Sequence, residues 1–201
     1  SGVAISTYSE LQAEIAAWLQ RADLATQIPS FVELATSDFN ATLRVPQMEI
    51  LASTTVTAEW TELPDGFLAI RHIETGDGKR LTFKTPELFA AFVATEAQPT
   101  IPIYTVADMS FRMYPAPTSL DVELLYYSAI PELVNSSDTN WLLTQFPSAY
   151  LAASLAWGFK FLQDPAGAAG WDAETKRQMA IVTRSSRALT EGASAMAIRV
   201  A

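Results

Sequence analysis

The apolar residues of this chain change their spacing twice, and that limits the available folds more than any other feature. From Leu11 to Leu43 they recur at helical spacing. From Met48 to Ser128 they fall largely at every second position, and after Asn135 the helical spacing returns. A period near 3.6 makes a stripe on a helix, and a period of two makes one face of a strand. The chain therefore reads as helices at both ends around a β segment.

Local signals place the elements. Thr7 and Glu10 have capping-box spacing, and Leu11, Ile15, Trp18 and Leu19 follow on one face, which predicts a helix over Tyr8–Gln20. Arg21–Gln27 reads as a short connection. Ile28-Pro29-Ser30 opens a second helix that stops near Arg44, before Pro46, and packs antiparallel to the first. Alternation from Met48 to Trp60 predicts one strand with a buried face. Leu63–Phe67 is a turn, and Leu68–Glu74 and Lys79–Phe83 flank Thr75-Gly76-Asp77-Gly78 as a hairpin. Thr85 and Pro86 start a short helix that runs to about Thr95. Ile101–Val106, Met109–Tyr114 and Leu120–Ser128 read as three further strands.

The segment Gln145–Leu162 is apolar nearly all round, as expected of a helix buried on several sides. Asp164-Pro165 breaks it, a long helix follows over Ala168–Thr190, and Gly192 ends that helix. The expected fold is α+β: a helical bundle from both termini, about four long helices over 1–46 and 136–192. Residues 47–135 form an inserted small antiparallel β lobe with one short helix, and 193–201 a C-terminal extended tail. With 201 residues, 49% of them hydrophobic, the chain can bury a substantial core.

Little in the sequence points to chemistry. There is no cysteine, which removes thiolate metal sites, thiol nucleophiles and disulfides and fits a reducing cytoplasm. The single histidine, His72, lies in a predicted strand and reads as structural. No G-x-S-x-G elbow presents a serine. Gly76-Asp77-Gly78-Lys79 matches only a fragment of a phosphate loop, and Arg80 stands where Ser or Thr is required. The pairs Asp121 with Glu123 and Glu10 with Glu14 read as solvated faces. Five tryptophans are spread along the chain; most are expected in the core, with one or two left as interface anchors.

Charge narrows the partners. Lys and Arg number 13 against 22 Asp and Glu, a net charge of −9, with no basic run. A DNA reader needs a basic face to displace counterions, so specific DNA binding is not expected. An acidic wall beside a duplex would instead repel it. Ser1–Thr7 lacks the basic start and apolar run of a signal peptide. Tyr150–Leu162 is too short and too interrupted to span a bilayer, so no membrane partner is expected.

Several stretches, in order, resemble the head-to-tail adaptor (connector) proteins of tailed bacteriophages. The branch most similar is the short-tailed phage adaptors, tail tubular protein A or head completion proteins. The resemblance rests on Tyr8-Ser9-Glu10-Leu11, Ile15–Leu19, Arg21–Leu24 and Ile28–Phe31. It continues through Leu43–Glu49, Leu63–Leu68, Tyr114–Pro117 with Val122–Tyr127, and Thr139–Leu143 leading into Pro147 and Tyr150. Asp38-Phe39-Asn40 is more acidic than the second helix of similar proteins.

The resemblance implies a helical bundle with an inserted β domain and a homo-oligomeric ring, a dodecamer, below the portal protein. Double-stranded DNA would pass through the lumen without specific binding, and tail or nozzle proteins would dock on the ring. It implies a place in the virion neck after assembly in the host cytoplasm, no catalysis and no cofactor. It assigns contact with the portal or a neighbouring subunit to Ala193, Ser194, Ala195, Met196, Ala197, Ile198, Arg199, Val200 and Ala201. The hairpin residues Thr75, Gly76, Asp77, Gly78 and Lys79 are expected to face tail proteins. The alternatives are a virion-associated peptidoglycan hydrolase and another oligomeric prophage protein.

Overall fold

The computed structural model of the chain describes residues 5–197, with side chains to residue 188. It divides into two compact units, one from Ser1–Gln47 with Ile130–Ala201 and the other Met48–Ala129. The fold is α+β, but not a bundle of four helices with one small lobe. Among the described residues it has six α-helices and two sheets, of three and four strands.

The helical unit holds α1 (Tyr8–Leu19), α2 (Ile28–Thr42), α4 (Trp141–Gln145), α5 (Pro147–Phe161) and α6 (Pro165–Ala197). The capping box is formed: Thr7 accepts from Glu10 N, and the Glu10 carboxylate accepts from Thr7 N. α5 is the centre of the unit and packs against α1, α2, α4 and α6. Its small residues allow this, since Ala149, Ala152, Ala153, Ala156 and Gly158 are all buried. A Cβ on Gly158 would stand 3.0 Å from Leu19 Cδ1, so glycine sets how closely α1 approaches.

Two boundaries differ from expectation. The third long helix starts at Pro147 rather than Gln145, and an unexpected short helix, α4, precedes it across Phe146, whose φ is −137°. Proline disfavours helical backbone in the residue before it, so α4 ends there and α5 starts afresh. Gly192 does not end the last helix, which runs from Pro165 through Gly192 to Ala197. An interior glycine costs a helix only about 1 kcal/mol, and no proline follows to enforce a stop. The expected extended tail is thus helical over 193–197, and Ile198–Ala201 lie outside the described residues.

The β unit is not one antiparallel sheet. β1 (Glu49–Val56), β7 (Leu120–Ser128) and β3 (Phe67–Thr75) form one sheet in the order β1-β7-β3. β2 (Trp60–Glu62), β6 (Ser110–Tyr114), β5 (Ile103–Ala107) and β4 (Thr82–Phe83) form the other, and β4 runs parallel to β5. The predicted strand Met48–Trp60 is broken at residues 57–59, so that β1 and β2 join different sheets. Both sheets contribute to one core, with Val56, Ile73, Val122 and Leu124 from the first and Tyr104, Phe111 and Met113 from the second. The break lets one stretch of chain line both layers. The short helix α3 (Pro86–Val93) starts as expected, with Thr85 as cap and Pro86 in its first turn.

Candidate interaction site

The residues singled out for chemistry are dispersed. His72 Nε2 lies 4.0 Å from Glu74 Oε2 on β3, with no second histidine to complete a site. Glu10 is taken up by the α1 cap: its Oε2 accepts from Ser6 N and Oγ at 2.8 Å and from Thr7 N at 2.9 Å. Those donors stabilise the charged form and pull its pKa down to about 2. Asp121 Oδ1 accepts from Thr55 Oγ1 at 2.6 Å, and Glu123 stands between Ser53 on β1 and Glu74 on β3. Among the described residues no group of three or more His, Asp or Glu could hold a metal ion. None of the described helices is long and apolar enough to cross a membrane.

The Thr75–Lys79 turn is tightly tied. Thr75 N donates to Lys79 O at 2.9 Å, Gly78 N to Thr75 O at 2.7 Å, and Gly76 N to Asp121 O at 2.8 Å. Thr75 Oγ1 donates to the Asp77 carboxylate, and Lys79 Nζ pairs with Asp77 Oδ2 at 2.7 Å. The bonds from Lys79 and Thr75 hold the Asp77 carboxyl below its usual range. Gly78, at φ +80°, supplies the left-handed residue. Only the first rungs of the predicted hairpin form, Glu74 with Arg80 and Leu81 N to Ile73 O at 2.8 Å. The chain then leaves β3, and Thr82–Phe83 pairs with β5 instead.

The tryptophans depart most from expectation. None of the five is buried. Trp18 is 53% exposed and meets Trp171 edge-on, with ring centroids 5.3 Å apart. The pair walls a groove of about 670 Å³ in the helical unit, floored by Leu151, Ala152 and Gly170 and bounded by Arg177. Trp157 Nε1 donates to Asp38 at 2.9 Å, and Lys160 sits 4.5 Å from the centre of its ring. Trp60, 47% exposed on β2, carries Arg112 over its face at 5.3 Å. Sequence reasoning missed this surface because the tryptophans are far apart in the chain and tertiary structure alone pairs Trp18 with Trp171.

Beneath this surface a buried network fixes the helical unit. Asn140 caps α4, its Oδ1 accepting from Leu143 N at 2.9 Å. Its Nδ2 donates to Pro131 O at 2.8 Å and to Tyr150 Oη at 3.0 Å. Tyr150 Oη lies 3.2 Å from Thr36 Oγ1, whose own proton is engaged by Val32 O at 2.9 Å. Burial raises the Tyr150 pKa, which keeps the phenol neutral.

Exposed aromatics over a braced helical unit are features of a contact surface. Residues 6–199 match the family model of the SU10 adaptor protein, and the chain belongs to that family of bacteriophage head-to-tail adaptors. No curated protein matches the chain at a significant level.

Proposed function

We propose that the protein is the neck adaptor of a virion, forming a ring of copies, a dodecamer, beneath the portal. The family match over residues 6–199 carries this reading. In it, the helical unit makes the ring contacts, with Trp18 and Trp171 as aromatic anchors, and the β unit meets tail or nozzle proteins, the Thr75–Lys79 turn among its contacts. Residues 193–201 reach the portal or a neighbouring copy. The net charge of −9 suits a ring whose lumen passes DNA without holding it. Assembly takes place in the host cytoplasm.

The test mixes purified protein with its portal and images the product. A closed ring under the portal is expected, and no ring would sink the reading. A chain lacking Ala193–Ala201 should attach to the portal more weakly. Unchanged attachment would remove that segment from the contact.

A further inference from the structure

The four sheet edges of the β unit are finished differently. β4 is two residues long and β2 three, too short to template another strand. β3 is interrupted by two register shifts, and its outer side is engaged where Leu81 N donates to Ile73 O and Thr75 N to Lys79 O. β1 has no such protection. It runs eight residues in unbroken register with β7, from Glu49 opposite Tyr127 to Val56 opposite Leu120. It holds no proline, lysine or arginine, and its single charge, Glu49, sits at one end paired with Arg71.

Among the described residues, the β1 backbone makes no hydrogen bonds beyond its ladder with β7. Half the N–H and C=O groups of a strand point away from its antiparallel partner. One side of β1 is therefore a row of open donors and acceptors, and natural sheets normally blunt such an edge. Ile50 and Leu51, 43% and 59% exposed, offer apolar contact at its start.

The chemistry beside this edge is acidic. Beside the edge a slot of about 300 Å³ is lined by Ser53, Thr54, Thr55, Gly76, Asp121, Val122 and Glu123, and Asp121 and Glu123 alternate along β7 with the core residues Val122 and Leu124. Asp121 and Glu123 lie on β7 opposite Thr55 and Ser53, so two small hydroxyl side chains are all that separates them from the open edge. Among the described residues neither carboxylate has an ion-pair partner.

We propose that the β1 edge docks an extended segment of another protein as an added strand, with a lysine or arginine reaching Asp121 and Glu123. Backbone pairing supplies the attachment and the slot supplies the preference. A second copy of this chain is a poorer occupant: its β1 would bring Glu49 and no cation to the same carboxylates. The proposal rests on the adaptor reading only in making the partner a virion protein.

The probe is the fluorescein-labelled peptide Thr-Val-Lys-Val-Arg-Val-Thr, titrated with the full chain and followed by anisotropy. One control replaces Lys and Arg by Glu. The other keeps the charge but carries N-methyl groups at alternate amides, and so measures general attraction to an acidic protein. The basic peptide should bind about tenfold tighter than either control. Ser53→Lys, which fills the slot with an ammonium, and Glu123→Gln should each reduce binding about tenfold while circular dichroism melts stay unchanged. Equal binding of the Lys/Arg and Glu peptides would overturn the role of the slot, and equal binding of the N-methylated peptide would overturn strand pairing. Dimerisation of the chain that Ser53→Lys abolishes would assign the edge to a second copy and overturn the proposal. The assay needs neither ring nor portal, so its failure leaves the adaptor reading standing.

Discussion

Replacing Asn140 by alanine should destabilise the helical unit several times more than removing the phenol hydroxyl it touches. Asn140→Ala takes away the bond from Nδ2 to Pro131 O, worth about 1 kcal/mol. It also strands the N–H of Leu143, a residue with 0% exposure whose amide has no route to water. An unmet buried donor costs about 1–3 kcal/mol. The expected total is about 2–4 kcal/mol. Tyr150→Phe is milder, because Asn140 Nδ2 keeps Pro131 O and Thr36 keeps Val32 O, and it should cost about 1 kcal/mol. Both substitutions delete the same Asn140–Tyr150 bond, so the double variant should fall about 1 kcal/mol short of the sum. Urea unfolding followed by tryptophan fluorescence suits the question. Trp18, Trp141, Trp157 and Trp171 lie in the helical unit, and Trp60 alone in the β unit. An Asn140→Ala cost no larger than that of Tyr150→Phe, or strict additivity, would refute the account of the network.

The Glu10 carboxyl, with its pKa near 2 against an ordinary 4.5, stabilises the fold fully above about 4.5, and that contribution is lost as pH falls through 2. Glu174, held near 2 by Arg177 and Gln178, shares the window. Carbon-detected NMR titration should find both midpoints near 2, and Glu10→Gln should flatten acid unfolding between those limits. Gly78→Ala meets open space but must hold φ at +80°, so thermal melting should show a loss of about 1–2 kcal/mol in the β unit. Trp18→Ala, at a side chain 53% exposed, should barely change melting, and under the proposed ring reading it should lower the number of closed rings counted in micrographs of protein mixed with portal.

Local signals in the sequence were reliable where one segment decides the outcome. The Thr7–Glu10 box and the Thr85-Pro86 start both appear in the structure because capping needs only neighbouring residues. The break at residues 57–59 was hidden, since Val56, Ala58 and Trp60 keep the alternation with no glycine or proline to interrupt it. Sheet membership was hidden too: β1 pairs with β7, far along the chain, and no local pattern encodes that choice. Gly192 misled because glycine permits a helix end without compelling one. The surface was the least legible part, because burial of a tryptophan depends on which elements pack over it.

The bond from Ile130 N to Asn40 Oδ1, at 2.8 Å, joins the point where the chain returns from the β unit to the last turns of α2, just before it leaves. The helical unit thus closes its own seam, and the whole span from Met48 to Ala129 behaves as a cassette clipped into a finished frame. A different β module spliced between the same two ends should therefore leave the helices around it folded.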